Sequence, residues 1–231
     1  MDFLSDIREI VQQDLTVGAE SSLYTPAIID SGINRAYRKI GGLHRWPDLQ
    51  DAKKTSTEPN TEYYDYPETW RPNSIWKLTI DDVDYGDPVA FKDYLTEKES
   101  NTLSSSSKLW ANQWRRYFIY PTPTTHGSNN ISVWGQDNVE KLVNDGDTTI
   151  FSYSQPEVNE AIALEAVQIL KAKGGEQKEG LMLSAEARQI VAVSWDFIKR
   201  EIAKYEKTQP FLDVPDFFSG RNNVKNTIGN F

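Results

Sequence analysis

Two amphipathic, helix-forming ends enclose a long aromatic middle that reads as strands, and this order limits the fold more than any other feature of the chain. The ends run from about Asp2 to Ile40 and from Pro156 to Lys207. Between them, from about Tyr63 to Tyr153, lie short segments rich in Trp and Tyr. Helices at both ends share one core only if the middle leaves that core and comes back. The expectation is an α+β protein, a helical bundle from the N- and C-terminal segments with an inserted antiparallel β-sandwich or small barrel. Residues 1–50 and 156–207 are expected to form the bundle, 60–155 the β domain and 208–231 an extended C-terminal arm.

The helical ends rest on spacing. Phe3, Ile7, Ile10, Val11 and Leu15 follow a three-and-four rhythm, so they are expected on one buried face. Thr25 before Pro26 marks a new helix start, and Ile29, Ile33, Ala36, Tyr37 and Ile40 give that helix its apolar side. Gly41-Gly42 stop it. After Pro156 the stripe is Ala161, Ile162, Glu165, Ile169 and Leu170, ending at Gly174-Gly175. A last helix, from about Glu176 to Lys207, is expected to bury Leu183, Ala187, Ile190, Val191, Trp195, Ile198, Ile202 and Tyr205.

The middle has period-two patterning. Asp48 to Asn60 is polar and reads as a loop. Trp76, Leu78 and Ile80 alternate with Lys77, Thr79 and Asp81 as a strand, and Asp81-Asp82-Val83-Asp84 reads as a hairpin turn. Phe91 to Leu95 reads equally as a short helix or an edge segment. The serine run between Thr102 and Lys108 reads as a surface loop. Further strands are expected at Arg115–Tyr120, around Ile131, Val133 and Trp134, and at Thr149–Tyr153, with Asn144-Asp145-Gly146-Asp147 as a turn.

Composition removes function classes. A net charge of −9 with an isoelectric point near 4.8 argues against a main affinity for phosphate backbone. With zero cysteines there is no thiolate nucleophile, disulfide or zinc–thiolate site. The start lacks a basic, then apolar, leader pattern, and no apolar run approaches the roughly 20 residues that cross a bilayer. No secretion signal and no membrane partner are expected.

Chemistry-bearing patterns are equally sparse. His44 and His126 lie in no paired-ligand spacing, and Asp81, Asp82 and Asp84 lack the glycine and distant glutamate of a calcium loop. Phosphate-binding, dinucleotide-binding and nucleophile-elbow motifs are missing. The expectation is therefore no catalytic residue, no metal and no cofactor. Trp70, Trp76, Trp110, Trp114 and Trp134 could build a sugar-stacking platform, which would make the middle a carbohydrate- or receptor-binding module. Core and contact surfaces are the commoner use of such aromatics. Trp114, Arg115 and Arg116 form the candidate subunit interface, since Arg and Trp are favoured anchors. Phe211, Leu212, Val214, Phe217 and Phe218 lie among prolines with no helical period, which suits a docking arm. A chain with these features points to assembly.

One run, Ile33-Asn34-Arg35-Ala36-Tyr37-Arg38-Lys39-Ile40 with Trp46-Pro47 after it, resembles the head–tail adaptor (connector) proteins of tailed bacteriophages. The likeness continues in order through Tyr64-Asp65-Tyr66-Pro67, the aromatic–proline segment Tyr117 to Pro123, Ile131-Ser132-Val133-Trp134-Gly135 and a closing helical pair. It implies a structural virion protein without enzymatic activity. Such a protein forms a ring, usually dodecameric, beneath the portal at the head–tail neck, and assembles in the host cytoplasm. The ring extends the channel through which double-stranded DNA passes without specific binding. It also offers a platform to the next tail or neck protein. The C-terminal segment, with Phe211, Leu212, Val214, Phe217 and Phe218, resembles arms that reach the portal.

Overall fold

The computed structural model describes residues 3–15, 24–100, 107–174 and 177–205. The chain divides into two compact units. One comprises residues 1–44 and 142–231, the other residues 45–141. Residues 142–155, expected with the strands, thus group with the helices.

Unit 1 contains α1 (Leu4–Asp14), α2 (Pro26–Gly41), α4 (Glu157–Gly174) and α5 (Gln177–Tyr205). Helix α1 starts where the Asp6 carboxylate accepts the Phe3 backbone N–H at 2.9 Å, satisfying a donor that the helix itself leaves unpaired. It buries Leu4, Ile7 and Val11. Phe3 and Ile10, expected on that face, are 36% and 37% exposed, because Leu4 takes the inward position and turns the stripe by one residue. Pro26 opens α2 as its spacing predicts, although the Thr25 hydroxyl makes no cap bond. All five predicted apolar positions of α2 are buried. Helix α4 packs against α1, α2 and α5, and at Gly32 the α2 backbone meets Leu170 so closely that an added Cβ would lie 3.2 Å from it.

The returning chain is seated on α2 by two polar side chains. Asn34 donates to the Leu142 carbonyl at 2.9 Å and accepts the Leu142 N–H at 2.8 Å, while the Tyr37 hydroxyl accepts the Ile150 N–H at 2.8 Å. The strand expected at Thr149–Tyr153 does not form; these residues are turns. The buried Thr149 hydroxyl, bonded to Asn159, accepts the Phe151 N–H at 3.2 Å and takes a donor that a ladder needs.

Unit 2 holds two antiparallel sheets and one helix. The first sheet has the order β1 (Gln50–Thr57), β7 (Gly127–Gln136), β3 (Lys77–Ile80), β4 (Val83–Asp84). The second has β2 (Tyr63–Asp65), β6 (Arg116–Tyr120), β5 (Leu109–Gln113), and α3 (Phe91–Glu99) packs against β5. Neither sheet closes into a barrel among the described residues. One hydrophobic cluster draws Leu78, Ile80, Ile131 and Val133 from the first sheet and Tyr64, Trp110, Tyr117 and Ile119 from the second, with Tyr66, Trp70 and Ile75 between them. A smaller cluster sets Tyr94 of α3 against Leu109 and Ala111. Gly135 has a packing reason to be glycine. An added Cβ there would stand 2.2 Å from the Trp70 ring, which is fully buried.

Residues 50–57, read from sequence as part of a polar loop, form strand β1 instead. Its register with β7 runs from Gln50 opposite Gln136 to Thr55 opposite Ile131. As an edge strand it takes its stability from the ladder, so it needs no apolar alternation. Phe91–Glu99 resolves as a helix.

Candidate functional site

The β5–β6 hairpin turns in two residues, since Gln113 pairs with Arg116. Trp114 takes the first turn position with φ at 56°, in the left-handed region, and it is 69% exposed. A bulky side chain in that conformation costs roughly 1–2 kcal/mol, so tertiary contacts must hold it. They are present. The Trp114 carbonyl accepts the Asn73 N–H at 2.9 Å, and the Arg115 carbonyl accepts the Tyr66 N–H at 2.9 Å. The Arg115 guanidinium donates to the carbonyls of Trp70 at 3.0 Å, Pro67 at 2.9 Å and Glu68 at 3.2 Å.

Arg116 is engaged differently. It donates to the Asp65 carboxylate at 3.0 Å and lies 4.6 Å above the Tyr63 ring, which is itself 44% exposed. The three adjacent residues singled out in the sequence therefore divide their labour. Trp114 is offered to solvent, Arg115 fixes the turn that offers it, and Arg116 with Tyr63 makes a half-exposed cation–π pair on the same hairpin system. Burial pushes the Tyr66 and Tyr117 phenols of the surrounding framework well above the usual tyrosine range. Tyr66 uses its neutral hydroxyl to donate to Asn112 at 2.7 Å.

The five tryptophans do not make one platform. Trp70 and Trp110 are fully buried, and Trp76 and Trp134 are half-buried beside Arg45 at 5.3 Å and Lys77 at 5.1 Å. Asp81 and Asp82 form the two-residue β3–β4 turn, and Asp84 accepts the Gly86 N–H at 2.9 Å. His44 stacks on Trp195 at 4.7 Å, and His126 lies 3.5 Å from Glu58. Among the described residues no group of three His, Cys, Asp or Glu could hold a metal ion. No helix among them is long and apolar enough to cross a membrane.

Unit 1 presents an exposed apolar stripe and two clefts. On α5, Met182, Val193 and Phe197 are 75%, 64% and 55% exposed. At the contact of α2, α4 and α5 there is a cleft of about 240 Å³ with Ile40, Leu43, Ala187 and Val191 in its walls and the exposed Lys39 and Arg188 beside them. Glu165, also in its lining, is buried and fully engaged by Lys39 and by the Ser184 hydroxyl at 3.0 Å. A second cleft, lined by Arg35, Gln168, Ile169, Ala172 and Lys173, lies one helical turn away on α2 and α4.

Phe211, Leu212, Val214, Phe217 and Phe218 lie outside the described residues. No protein-family model matches the chain, and no curated protein matches it. Sequence reasoning missed Asn34 and Tyr37 as the residues that seat the returning chain. A usable signal existed: both are polar groups on the apolar face of α2, three residues apart, where only a buried hydrogen-bond partner would tolerate them.

Proposed function

We propose that the chain is a structural head–tail adaptor of a tailed-phage virion. In this reading it assembles into a ring, of the dodecameric kind, beneath the portal and carries the next tail or neck protein. The helical unit is then a bundle from which a β-sandwich is inserted. The single observation that carries the assembly reading is Trp114, exposed and held in a strained backbone by Arg115. An exposed tryptophan kept at a conformational cost suits a contact surface better than a solvated turn. Unit 1 adds a second exposed apolar stripe at Met182, Val193 and Phe197. A head-to-tail ring needs two unlike surfaces on each subunit, and these are unlike in chemistry and shape. The charge of −9 suits a lumen that lets a duplex pass. The ordered motifs around Asn34, Pro67 and Trp134 support the same family.

The experiment is mass by light scattering, alone and with a portal ring. Wild-type chain is expected to form a ring species, and the double variant Trp114→Ala/Arg116→Ala to need at least tenfold more protein for it, from a loss of about 2 kcal/mol per contact. The same variant should keep its helical signal. Unchanged assembly would remove the hairpin from the interface, and a chain that stays monomeric with and without a portal would sink the adaptor reading. In that reading residues 208–231 are an arm that reaches the portal through Phe211, Leu212, Val214, Phe217 and Phe218. Deletion of residues 209–231 should then abolish portal binding.

A further inference from the structure

Helix α5 has two faces with the same spacing, and its own unit uses one of them. Gly180, Ser184, Ala187, Val191, Ser194 and Ile198 are buried at alternating steps of four and three, the seam spacing of paired helices, and α5 packs on α4. The opposite face keeps that rhythm and is exposed. Met182, Gln189, Val193 and Phe197 lie along it, with the small Ala185, Ala192 and Ala203 between them. Its charges are ordered along the helix: Glu186 lies toward one end, Lys199 and Arg200 toward the other, all three exposed. Arg188 and Asp196 lie at its margins, and Lys199 holds Asp196 at 2.8 Å within the helix.

We infer that this face pairs with the same face of a second copy, antiparallel, about a two-fold axis between Ala192 and Val193. The apolar stripe alone names no occupant; the charge order does. That axis sets Glu186 opposite Lys199 and Arg200 of the other copy, and Met182 opposite Ala203. It also sets Arg188 opposite Asp196 and the Phe197 ring, which a guanidinium can cover. By symmetry each of these meetings occurs twice. A parallel pair would instead stack Glu186 on Glu186 and Arg200 on Arg200, like charges that repel. The inference goes beyond the adaptor reading. In a head-to-tail ring the same stripe faces a different neighbour, so the pair is the form of the free subunit and opens when a ring closes.

The chain has no cysteine, so single cysteines report the register directly. In the full-length chain without a portal, Ala192→Cys is expected to give a covalent dimer with a short bis-maleimide, because its own copy faces it across the axis. Met182→Cys alone and Ala203→Cys alone are expected to stay uncrosslinked, since each stands about 30 Å from its own copy at 1.5 Å per residue. An equimolar mixture of those two variants is expected to crosslink. Sedimentation of the uncrosslinked chain reads the strength of the pair. Glu186→Arg and Arg200→Glu are each expected to raise the dimer dissociation constant about fivefold with the helical signal unchanged. The two changes in one chain should return it to within about twofold of wild type. Self-crosslinking at Met182→Cys, no crosslink at Ala192→Cys, charge variants without effect, or a wild-type monomer at every concentration would each overturn the inference. Ring mass with the portal is a separate readout, so the pair and the adaptor reading can fail independently.

Discussion

The two tight hairpins of unit 2 solve the same geometric problem by opposite means. At the β3–β4 turn, Asp81 and Asp82 have φ of 51° and 60°, the type I′ geometry that matches the twist of paired strands. Short polar residues accept that conformation, so the turn is specified by its own residues. Its distant support comes from Asn130, whose carbonyl accepts the Asp81 N–H at 2.9 Å and whose amide donates to the Asp81 carboxylate at 3.1 Å. At the β5–β6 turn the left-handed position is occupied by Trp114, which disfavours it. There the geometry is imposed by Asn73 and by Arg115 reaching residues 67, 68 and 70. One turn is local and near its minimum, whereas the other is held under tension by a loop more than forty residues away in sequence.

If that contrast is right, the Arg115 clamp is the largest single contribution. Arg115→Ala is expected to lower unfolding free energy by about 2–3 kcal/mol, since a charged donor to three carbonyls is lost. Urea denaturation measures it, and Arg115→Lys should recover little because one ammonium cannot span the fork. A loss below about 0.5 kcal/mol would mean the hairpin stands unaided and the contrast is void. Next in size, Trp114→Gly should stabilise the isolated chain by about 1 kcal/mol by releasing the left-handed strain, while weakening assembly. Destabilisation on thermal melting would show that the indole packs rather than strains. The local turn should respond least: Asp81→Asn with Asp82→Gly is expected to add about 0.5 kcal/mol, and any large effect would erase the difference between the hairpins.

A third turn extends the local class to unit 1. Asp147 accepts the N–H groups of Val143 at 2.6 Å and Asn144 at 2.9 Å, and these bonds hold its carboxyl below the ordinary aspartate value. A depressed carboxyl pKa stabilises the fold above the unfolded-state value, and this contribution is lost as pH falls through the folded value. Carboxyl chemical shifts should therefore place the Asp147 midpoint below 3.8. A midpoint at or above that value would say the turn is not held by these bonds.

The α2 stripe, the α4 stripe and the Asp81-Asp82 turn were legible in the sequence because their causes are local: period, stop signals and turn chemistry. Strand β1 was not, since an edge strand made of Gln, Asp, Ala, Lys, Thr and Ser is a strand only beside β7. The segment Thr149–Tyr153 misled for the opposite reason. Its residues suit a strand, but the Thr149 hydroxyl captures the Phe151 N–H and the chain turns instead. At the candidate site the sequence brought Trp114, Arg115 and Arg116 to notice together as contact residues. It could not show that Arg115 is consumed inside, because its acceptors are backbone carbonyls of a distant loop.

The bonds between Asn34 and Leu142 bear on how the polypeptide is made. During synthesis the apolar faces of α1 and α2 emerge first and have no α4 to cover them. Residues 45–141, with every strand of both sheets, leave the ribosome before Leu142 does. The β unit can therefore fold while the N-terminal helices still wait, and the helical unit closes only after translation has passed α4. A released chain truncated near residue 145 should resist protease between 45 and 141 and be cut readily before 44. The insertion thus sets a timetable: for the time needed to translate about one hundred residues, Ile29, Ile33 and Ile40 are the part of this protein most in need of a chaperone.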